Sequence, residues 1–333
     1  MAGEKGRVAG GFEVKGIVWV VLAVLLVACA CQAAAESIRV SLDFFSNPNH
    51  IPLYAALDNG YFEDEGIEVD IFVPANPSDP VKLAAAGAVE IALTPQINYL
   101  IARSEGLPLI AIGALIDKPL GGLLALRGHG IGTIQDLSGK RIGYALAPLE
   151  PILWETVFEC VGLASSSIEL ISVGFNTMIA LVAGNVEAIG AFRNYEVLQL
   201  EELGYEPIFF PQEDYCVPTT YELLLVAHPN FILEAASDAA AFLRAFVRGI
   251  EWTMAHPEDA LALFFDRFPE LDDELNRRSF EQTLPLYAVG AYHADDAVWE
   301  AMQAYLVENG LMASSFSLDE LYTDALLPIE GEE

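Results

Sequence analysis

Basic residues are the scarcest feature of this 333-residue sequence. It contains 16 Lys and Arg against 48 Asp and Glu, which gives a formal net charge of −32. Nucleic-acid-binding proteins use Lys and Arg to neutralise phosphates, so we expect no nucleic-acid partner. The same charge opposes electrostatic attachment to an anionic membrane surface.

The common catalytic motifs are also missing. The sequence contains no Gly-x-Ser-x-Gly, no His-Glu-x-x-His and no Gly-x-x-x-x-Gly-Lys pattern. Gly121 and Gly122 precede a predicted strand instead of a helix, which does not fit a dinucleotide-binding loop. We therefore predict that the protein is not an enzyme and that it uses no cofactor and no metal.

Cysteine is rare in the body of the chain, where only Cys160 and Cys216 occur. Their wide spacing does not match a metal-binding motif. We expect two buried free thiols. A single disulfide is the alternative in an oxidising compartment.

The N-terminus has the pattern of an export signal. A weakly basic start precedes an unbroken apolar run over residues 17–28, which is too short for a membrane-spanning helix and typical of a signal-peptide core. The run ends in Leu-Val-Ala-Cys at Cys29, which resembles a bacterial lipobox. We predict a lipoprotein-type signal peptide over residues 1–28, lipid attachment at Cys29 and an exported protein anchored to the cell membrane. Cleavage at residues 33–35 is the alternative.

Strand and helix patterns alternate along the rest of the chain, with glycine after most of the helices. This βαβα order predicts an α/β fold with mostly parallel sheets. A second unit begins near Lys140, and residues 184–187 echo the helix end, glycine turn and strand start of residues 87–90. Two similar units in an exported chain are typical of a two-lobed clamshell binding protein.

The predicted domain bounds follow from these two units and from two apolar segments that connect them. We assign lobe 1 to residues 36–121 plus 228–327, lobe 2 to residues 128–218, and two crossing hinge strands to residues 122–127 and 219–227.

Ligands of parallel sheets bind at the carboxyl ends of the strands. Four segments follow predicted strands and are expected to face one cleft: residues 43–50, 94–96, 146–150 and 193–196. The candidate ligand-binding residues are Asp43, Phe44, Phe45, Asn47, Asn49, His50, Gln96, Glu150, Asn194, Tyr195 and Glu196.

The chemistry of these candidates is amide, carboxylate and aromatic. It suits a small nitrogen heterocycle with an exocyclic amine, because amides and carboxylates accept hydrogen bonds and rings stack. It suits a sulfonate or phosphate less, since Arg193 is the single cation expected in the cleft.

A structural role is the alternative for several of these residues. Asp43 and Asn47 could cap the following helix. Arg193 could pair with Glu196. His50, Gln96 and Tyr195 could be ordinary helix-start or core residues.

The segment Asp-Phe-Phe-Ser-Asn-Pro-Asn-His at residues 43–50 resembles the Asp-Trp-x-Pro-Asn-x-Asn-His motif of the thiamine-pyrimidine-precursor family of solute-binding proteins. Residues 190–196, Gly-Ala-Phe-Arg-Asn-Tyr-Glu, also resemble it, and the likeness extends over nearly the whole mature chain. The sequence departs from the motif at Phe44, where the family has Trp, and at Ser46, where it has Pro.

This resemblance implies a type II periplasmic-binding-protein fold and a thiamine pyrimidine precursor, of the formylaminopyrimidine or hydroxymethylpyrimidine type, as the ligand. It supports Asp43, Asn49, His50, Asn194 and Glu196 as site residues. It also implies an ABC permease and its ATPase as partners of a monomeric receptor.

Three alternatives for the function remain. The smaller ring of Phe44 could indicate another heterocycle, such as riboflavin. An alkanesulfonate or nitrate receptor can share the fold. Fungal relatives of the family synthesise the pyrimidine with a histidine of their own chain, and His50 lies in the matching motif.

Overall fold

The computed structural model describes residues 1, 3, 37–293 and 295–328. The predicted lipid attachment at Cys29 and nearly all of the predicted signal peptide lie outside these residues. The chain divides into two compact units, Met1–Ser37 and Ile38–Glu333, and all elements named below belong to the second. None of the helices in the described ranges has the length and hydrophobicity that a membrane span requires.

Ten strands among the described residues form two five-stranded sheets. The first sheet has the order β2-β1-β3-β10-β4 and the second the order β7-β6-β8-β5-β9. The strands are β1 Ile38–Ser41, β2 Val69–Phe72, β3 Ile91–Thr94, β4 Ile110–Ile116, β5 Gly121–Leu126, β6 Arg141–Tyr144, β7 Glu169–Ser172, β8 Ala188–Phe192, β9 Pro207–Pro211 and β10 Leu223–Ala227.

Helices cover these sheets and follow most of the parallel strands. They are α1 Ile51–Asp58, α2 Tyr61–Asp64, α3 Pro80–Ala85, α4 Gln96–Ser104, α5 Leu149–Cys160, α6 Thr177–Val182, α7 Glu196–Glu202, α8 Pro229–Glu234, α9 Ala236–Ala255, α10 Pro257–Arg267, α11 Glu274–Thr283, α12 Asp296–Glu308 and α13 Leu318–Leu321. The two-sheet α/β architecture confirms the predicted fold class.

Parallel pairing occupies one side of each sheet, where β1 pairs with β2 and β3, and β6 pairs with β7 and β8. The exceptions are β10 in the first sheet and β5 in the second, which run antiparallel to both neighbours. Every residue of β5 and β10 is buried, as continuous apolar sequence predicts for central strands.

The two segments predicted as hinge strands each lie within one sheet. Most of residues 122–127 belongs to β5, and the later part of residues 219–227 is β10. The chain therefore crosses from the first sheet to the second at residues 117–120 and returns at residues 212–222. We call these the outward and the return crossing. The residue bounds of the lobes remain a proposal.

The predicted echo between the two units has a side-chain counterpart. The guanidinium of Arg39 in β1 binds Glu90 with Nη2 and Oε1 2.7 Å apart, and Arg141 in β6 binds Glu187 at the same distance. In each pair the backbone N–H of the arginine also donates to the carboxylate, at 2.8 Å. The two halves of the chain thus repeat one local arrangement, of which the sequence alone showed the glycine, the valine and the glutamate but not the arginine.

The expectation of two buried free thiols is wrong. Cys160 at the end of α5 and Cys216 in the return crossing form a disulfide, and both residues are exposed. Their Cα atoms are 5.8 Å apart, a separation typical of disulfides. Sequence spacing could not reveal this, because the return crossing reaches α5 only through the tertiary fold.

Candidate functional site

A cavity of about 130 Å³ lies between the two sheets, where several strands end. Its wall includes Asp43 just after β1, Thr94 at the end of β3, Ala145 after β6 and Phe192 at the end of β8. These are the carboxyl ends of parallel strands, which is the position predicted for the cleft from the sequence.

Seven of the eleven candidate residues line this cavity. They are Asp43, Phe44, Asn47, Asn49, Glu150, Tyr195 and Glu196. The structure thus brings together side chains from both sheets that are separated by up to 153 positions in the sequence. Their function as ligand-binding residues remains a prediction.

The other four candidates lie around the cavity without lining it. Phe45 is 51% exposed, whereas His50, Gln96 and Asn194 are buried. The amide oxygen of Gln96 accepts from the Thr220 hydroxyl at 2.8 Å, so this side chain is directed at the return crossing. Gln96 therefore stabilises the return crossing next to the cavity and does not itself line the cavity.

His50 is buried and both of its ring nitrogens are engaged. Nδ1 accepts from the backbone N–H of Asn47 at 3.3 Å, which leaves the proton on Nε2 for Asp43 Oδ1 at 2.8 Å. Asn47 also caps the first turn of the following helix by accepting from the Asn49 N–H. The capping alternative thus applies to Asn47, while Asp43 is positioned by His50.

Contacts from both lobes meet at the edge of the cavity. Phe175, which precedes α6, packs against the rings of Phe44 and Phe45 with both centroid distances at 4.7 Å. The Asn194 amide donates to Asn49 Oδ1 and to Thr283 Oγ1, both at 2.7 Å. These contacts bridge the cleft, and Asn194 and Phe45 take part in them instead of lining the cavity.

Arg193 is turned away from the cavity. Its guanidinium binds Glu213 with Nη2 and Oε1 2.5 Å apart, and it does not pair with Glu196. In the part of the chain that the structure describes, no Lys, Arg or His side chain lines the cavity. The one cation expected in the cleft is therefore not available there.

Four carboxylates line the cavity instead: Asp43, Glu150, Glu196 and Glu222. Burial raises the pKa of Glu150, of Glu196 and of Glu222 to about 7. Among the described residues, no three His, Cys, Asp or Glu side chains converge in a way that could hold a metal ion.

Backbone N–H groups hold three of these carboxylates in place. Glu150 accepts from Leu146 at 3.1 Å, Glu196 accepts from Phe192 at 2.8 Å, and Glu222 accepts hydrogen bonds at the outward crossing. Hydrogen bonds to a carboxylate favour its charged form and partly offset the effect of burial. Each carboxylate is therefore fixed in position and close to its titration point at neutral pH.

Several residues that line the cavity were not predicted from the sequence. Glu222 is the most informative, because a single carboxylate in the otherwise apolar run of residues 221–227 is a signal that the sequence alone contains. Trp154 and Thr177 also line the cavity, but they lie on helices whose orientation local periodicity does not determine. Gly190 lies beneath the Glu150 carboxylate, where no side chain would fit.

The family model and the similar proteins indicate the same family. Residues 47–260 match the family model described as NMT1/THI5 like. The formylaminopyrimidine-binding protein of Halalkalibacterium halodurans is 33% identical, over 87% of this chain and 92% of that protein. A 4-amino-5-hydroxymethyl-2-methylpyrimidine phosphate synthase of Legionella pneumophila is 27% identical, over 90% of this chain and 95% of that protein.

Solved structures support the fold. The alkanesulfonate-binding protein of Xanthomonas axonopodis pv. citri, solved with bound MOPS, superposes with a TM-score of 0.68, covering 84% of this chain and 96% of that one. The two sequences are only 15% identical, so the likeness concerns the fold alone. It confirms the two-lobed periplasmic-binding-protein architecture predicted from the sequence.

Proposed function

The chain belongs to the NMT1/THI5-like family, and we propose that it is a solute-binding protein for an aminopyrimidine precursor of thiamine, of the formylaminopyrimidine or hydroxymethylpyrimidine type. One observation carries the proposal: four carboxylates and no basic side chain line a small cavity with aromatic walls in the described part of the chain. The ligand that suits this lining presents hydrogen-bond donors and a flat ring.

Carboxylates favour a ligand that donates hydrogen bonds, because an ionised carboxylate only accepts them. A ring with an exocyclic amine offers two N–H donors, and its ring nitrogen can share a proton with a carboxyl whose pKa is close to 7. Hydrogen bonds of this charge-assisted kind contribute about 1.5–3 kcal/mol each. Phe44 and Tyr195 supply the aromatic surfaces beside the carboxylates.

The size of the cavity favours a single substituted ring. A cavity of about 130 Å³ is close to the roughly 150 Å³ that holds a benzene molecule in an engineered protein core. A pyrimidine with small substituents suits this volume with modest adjustment of the lobes. Thiamine, with two linked rings, and riboflavin, with three fused rings, are much larger, so we do not favour them.

An anionic ligand is disfavoured by the same lining. A sulfonate or nitrate in the cavity would face carboxylates, and among the described residues no Lys or Arg lines the cavity to balance the charge, because Arg193 is directed at Glu213. Like charges at close range in a partly dry site repel strongly. The fold that this chain shares with alkanesulfonate receptors therefore does not imply that it binds the same ligand.

A pyrimidine synthase is the second candidate, because relatives in the family have that name. The resemblance connects this activity to His50. His50 is fully buried, is bonded through both nitrogens and does not line the cavity. This environment favours a positioning role for His50 and a receptor over an enzyme.

The partners follow from the receptor proposal. We expect delivery to an ABC permease with its ATPase, and we expect the lipid on Cys29 to hold the acidic protein at the membrane. Mass spectrometry of the mature N-terminus tests the anchor. A diacylated Cys29 supports it, whereas an unmodified N-terminus near residues 33–35 contradicts it.

Titration calorimetry tests the ligand. We expect binding of formylaminopyrimidine or hydroxymethylpyrimidine, and little or none of thiamine, riboflavin or an alkanesulfonate. Binding of the sulfonate with no binding of any pyrimidine would refute the proposal. Incubation with iron and pyridoxal phosphate tests the synthase alternative, which formation of a pyrimidine would establish.

A further inference from the structure

Two crossings join the lobes, and one buried carboxylate connects them. Glu222 lies at the end of the return crossing and is 4% exposed. Its Oε2 accepts from the backbone N–H of Leu120 at 2.5 Å and of Gly121 at 3.1 Å, where the outward crossing ends. Among the described residues, no other side chain forms hydrogen bonds from one crossing to the other, so this connection depends on Glu222.

The tie continues into both lobes. In the first lobe, Gln96 accepts from the Thr220 hydroxyl and from the Tyr221 N–H, which fixes the return crossing. In the second lobe, the backbone N–H of Arg193 donates to the carbonyl of Leu120 at 3.0 Å. Hydrogen bonds therefore connect the start of α4, through both crossings, to the loop that precedes α7 and Glu196.

The same carboxylate also faces the ligand cavity. Glu222 lines it, and within residues 37–293 and 295–328 the hydrogen bonds to its side chain end on Oε2. Oε1 is thus the oxygen left for a ligand N–H. A ligand that donates to Oε1 orients a carboxylate whose other oxygen holds the outward crossing.

We propose that Glu222 is a ligand-binding residue of the hinge, which accepts a hydrogen bond from the ligand through one oxygen and joins the two interlobe crossings through the other. This inference rests on the proposed function for the class of ligand, an N–H-bearing ring. The junction between the crossings does not depend on that class.

Amide hydrogen exchange of the ligand-free protein tests the junction. Glu222→Ala removes the acceptor for Leu120 and Gly121, and we expect exchange of these two amides to accelerate about tenfold or more. Glu222→Gln keeps one carbonyl oxygen as acceptor, so exchange should stay close to that of the wild type. Asp214→Asn is the control, since Asp214 is exposed in the same crossing and outside the cavity.

Calorimetry with hydroxymethylpyrimidine and formylaminopyrimidine tests the ligand contact. We expect both Glu222 variants to lose about tenfold or more in affinity and Asp214→Asn to stay within about twofold. Bound ligand should slow hydrogen exchange of the Leu120 and Gly121 amides in the wild type. In Glu222→Gln the ligand should have no such effect.

The outcomes separate this inference from the proposed function. If the wild type binds neither pyrimidine, the proposed function fails and the ligand contact fails with it, while the exchange data still decide the junction. If the wild type binds and both Glu222 variants bind equally well, the ligand contact is overturned alone. Unchanged exchange at Leu120 and Gly121 in Glu222→Ala overturns the junction with or without ligand.

Discussion

Gly190 offers a stringent test of the site, because a single methyl group there would meet the cavity's own carboxylate. A Cβ at this position would lie 2.1 Å from Glu150 Oε2 and 2.8 Å from Trp154 Cζ2. Neither neighbour can yield easily, since Trp154 is 2% exposed and Glu150 is held by the backbone N–H groups of Ala145 and Leu146. The substitution Gly190→Ala therefore has to displace the Glu150 carboxylate or the strand.

The expected magnitude follows from these contacts. Overpacking a well-filled site costs about 1–3 kcal/mol. Displacing Glu150 also weakens its hydrogen bonds, each worth about 1 kcal/mol or more. We expect Gly190→Ala to lower the free energy of unfolding by about 2–3 kcal/mol, and to lower aminopyrimidine affinity more than tenfold, because the carboxylate no longer faces the ligand.

Urea denaturation and titration calorimetry measure these two effects. Gly128→Ala is the matched control, since a Cβ at Gly128 has no neighbour within 4 Å and should change neither quantity appreciably. Adding Glu150→Ala to Gly190→Ala should recover part of the lost stability, because it removes the clashing group. If Gly190→Ala matches Gly128→Ala in both assays, the packing described for the cavity floor is incorrect.

Three further predictions concern charge and covalent structure. Glu196→Gln should weaken aminopyrimidine binding about tenfold by calorimetry, because a donor replaces an acceptor, whereas the exposed Glu202→Gln should leave affinity unchanged. The pKa of Glu150 is about 7 in the folded protein against an ordinary 4.5, so the folded state binds its proton more tightly than the unfolded state does. The contribution of Glu150 to the free energy of unfolding should therefore decrease by about 3 kcal/mol as the pH rises from below 4.5 to 7. The melting temperature should therefore fall between pH 5 and pH 7, and Glu150→Gln should flatten the fall; an equal slope in both proteins would contradict this. Replacing Cys160 and Cys216 by serine should lower the free energy of unfolding by up to about 4 kcal/mol in urea titrations, given the 56-residue separation.

Local sequence patterns predicted the elements and the edge of the sheets where the cavity lies. This succeeded because a strand that ends in a polar segment and is followed by a helix has few other arrangements in a parallel sheet. Asp43, Glu150 and Glu196 were reached by that rule, and all three line the cavity.

Those local patterns did not predict which of the candidate side chains point into the cavity. Gln96 follows β3 as the rule requires, yet its amide turns to Thr220, a partner 124 positions away. Phe45 follows Phe44 directly and both rings pack against Phe175 from the second lobe, but only Phe44 lines the cavity. In each case the side chain contacts a residue far away in the sequence, and local periodicity contains no information about that contact.

The exchange of strands between the two halves explains why Glu222 was not predicted as a site residue. The first half of the chain contributes β5 to the second sheet, and the second half contributes β10 to the first. The arginine–glutamate pairs of Arg39 and Arg141 repeat within each half, so local sequence contains the repeat. Where β5 and β10 insert depends on pairing with strands of the other half. That pairing brings Glu222 beside Gly121, and it places the fourth carboxylate of the cavity at the junction between the outward and return crossings.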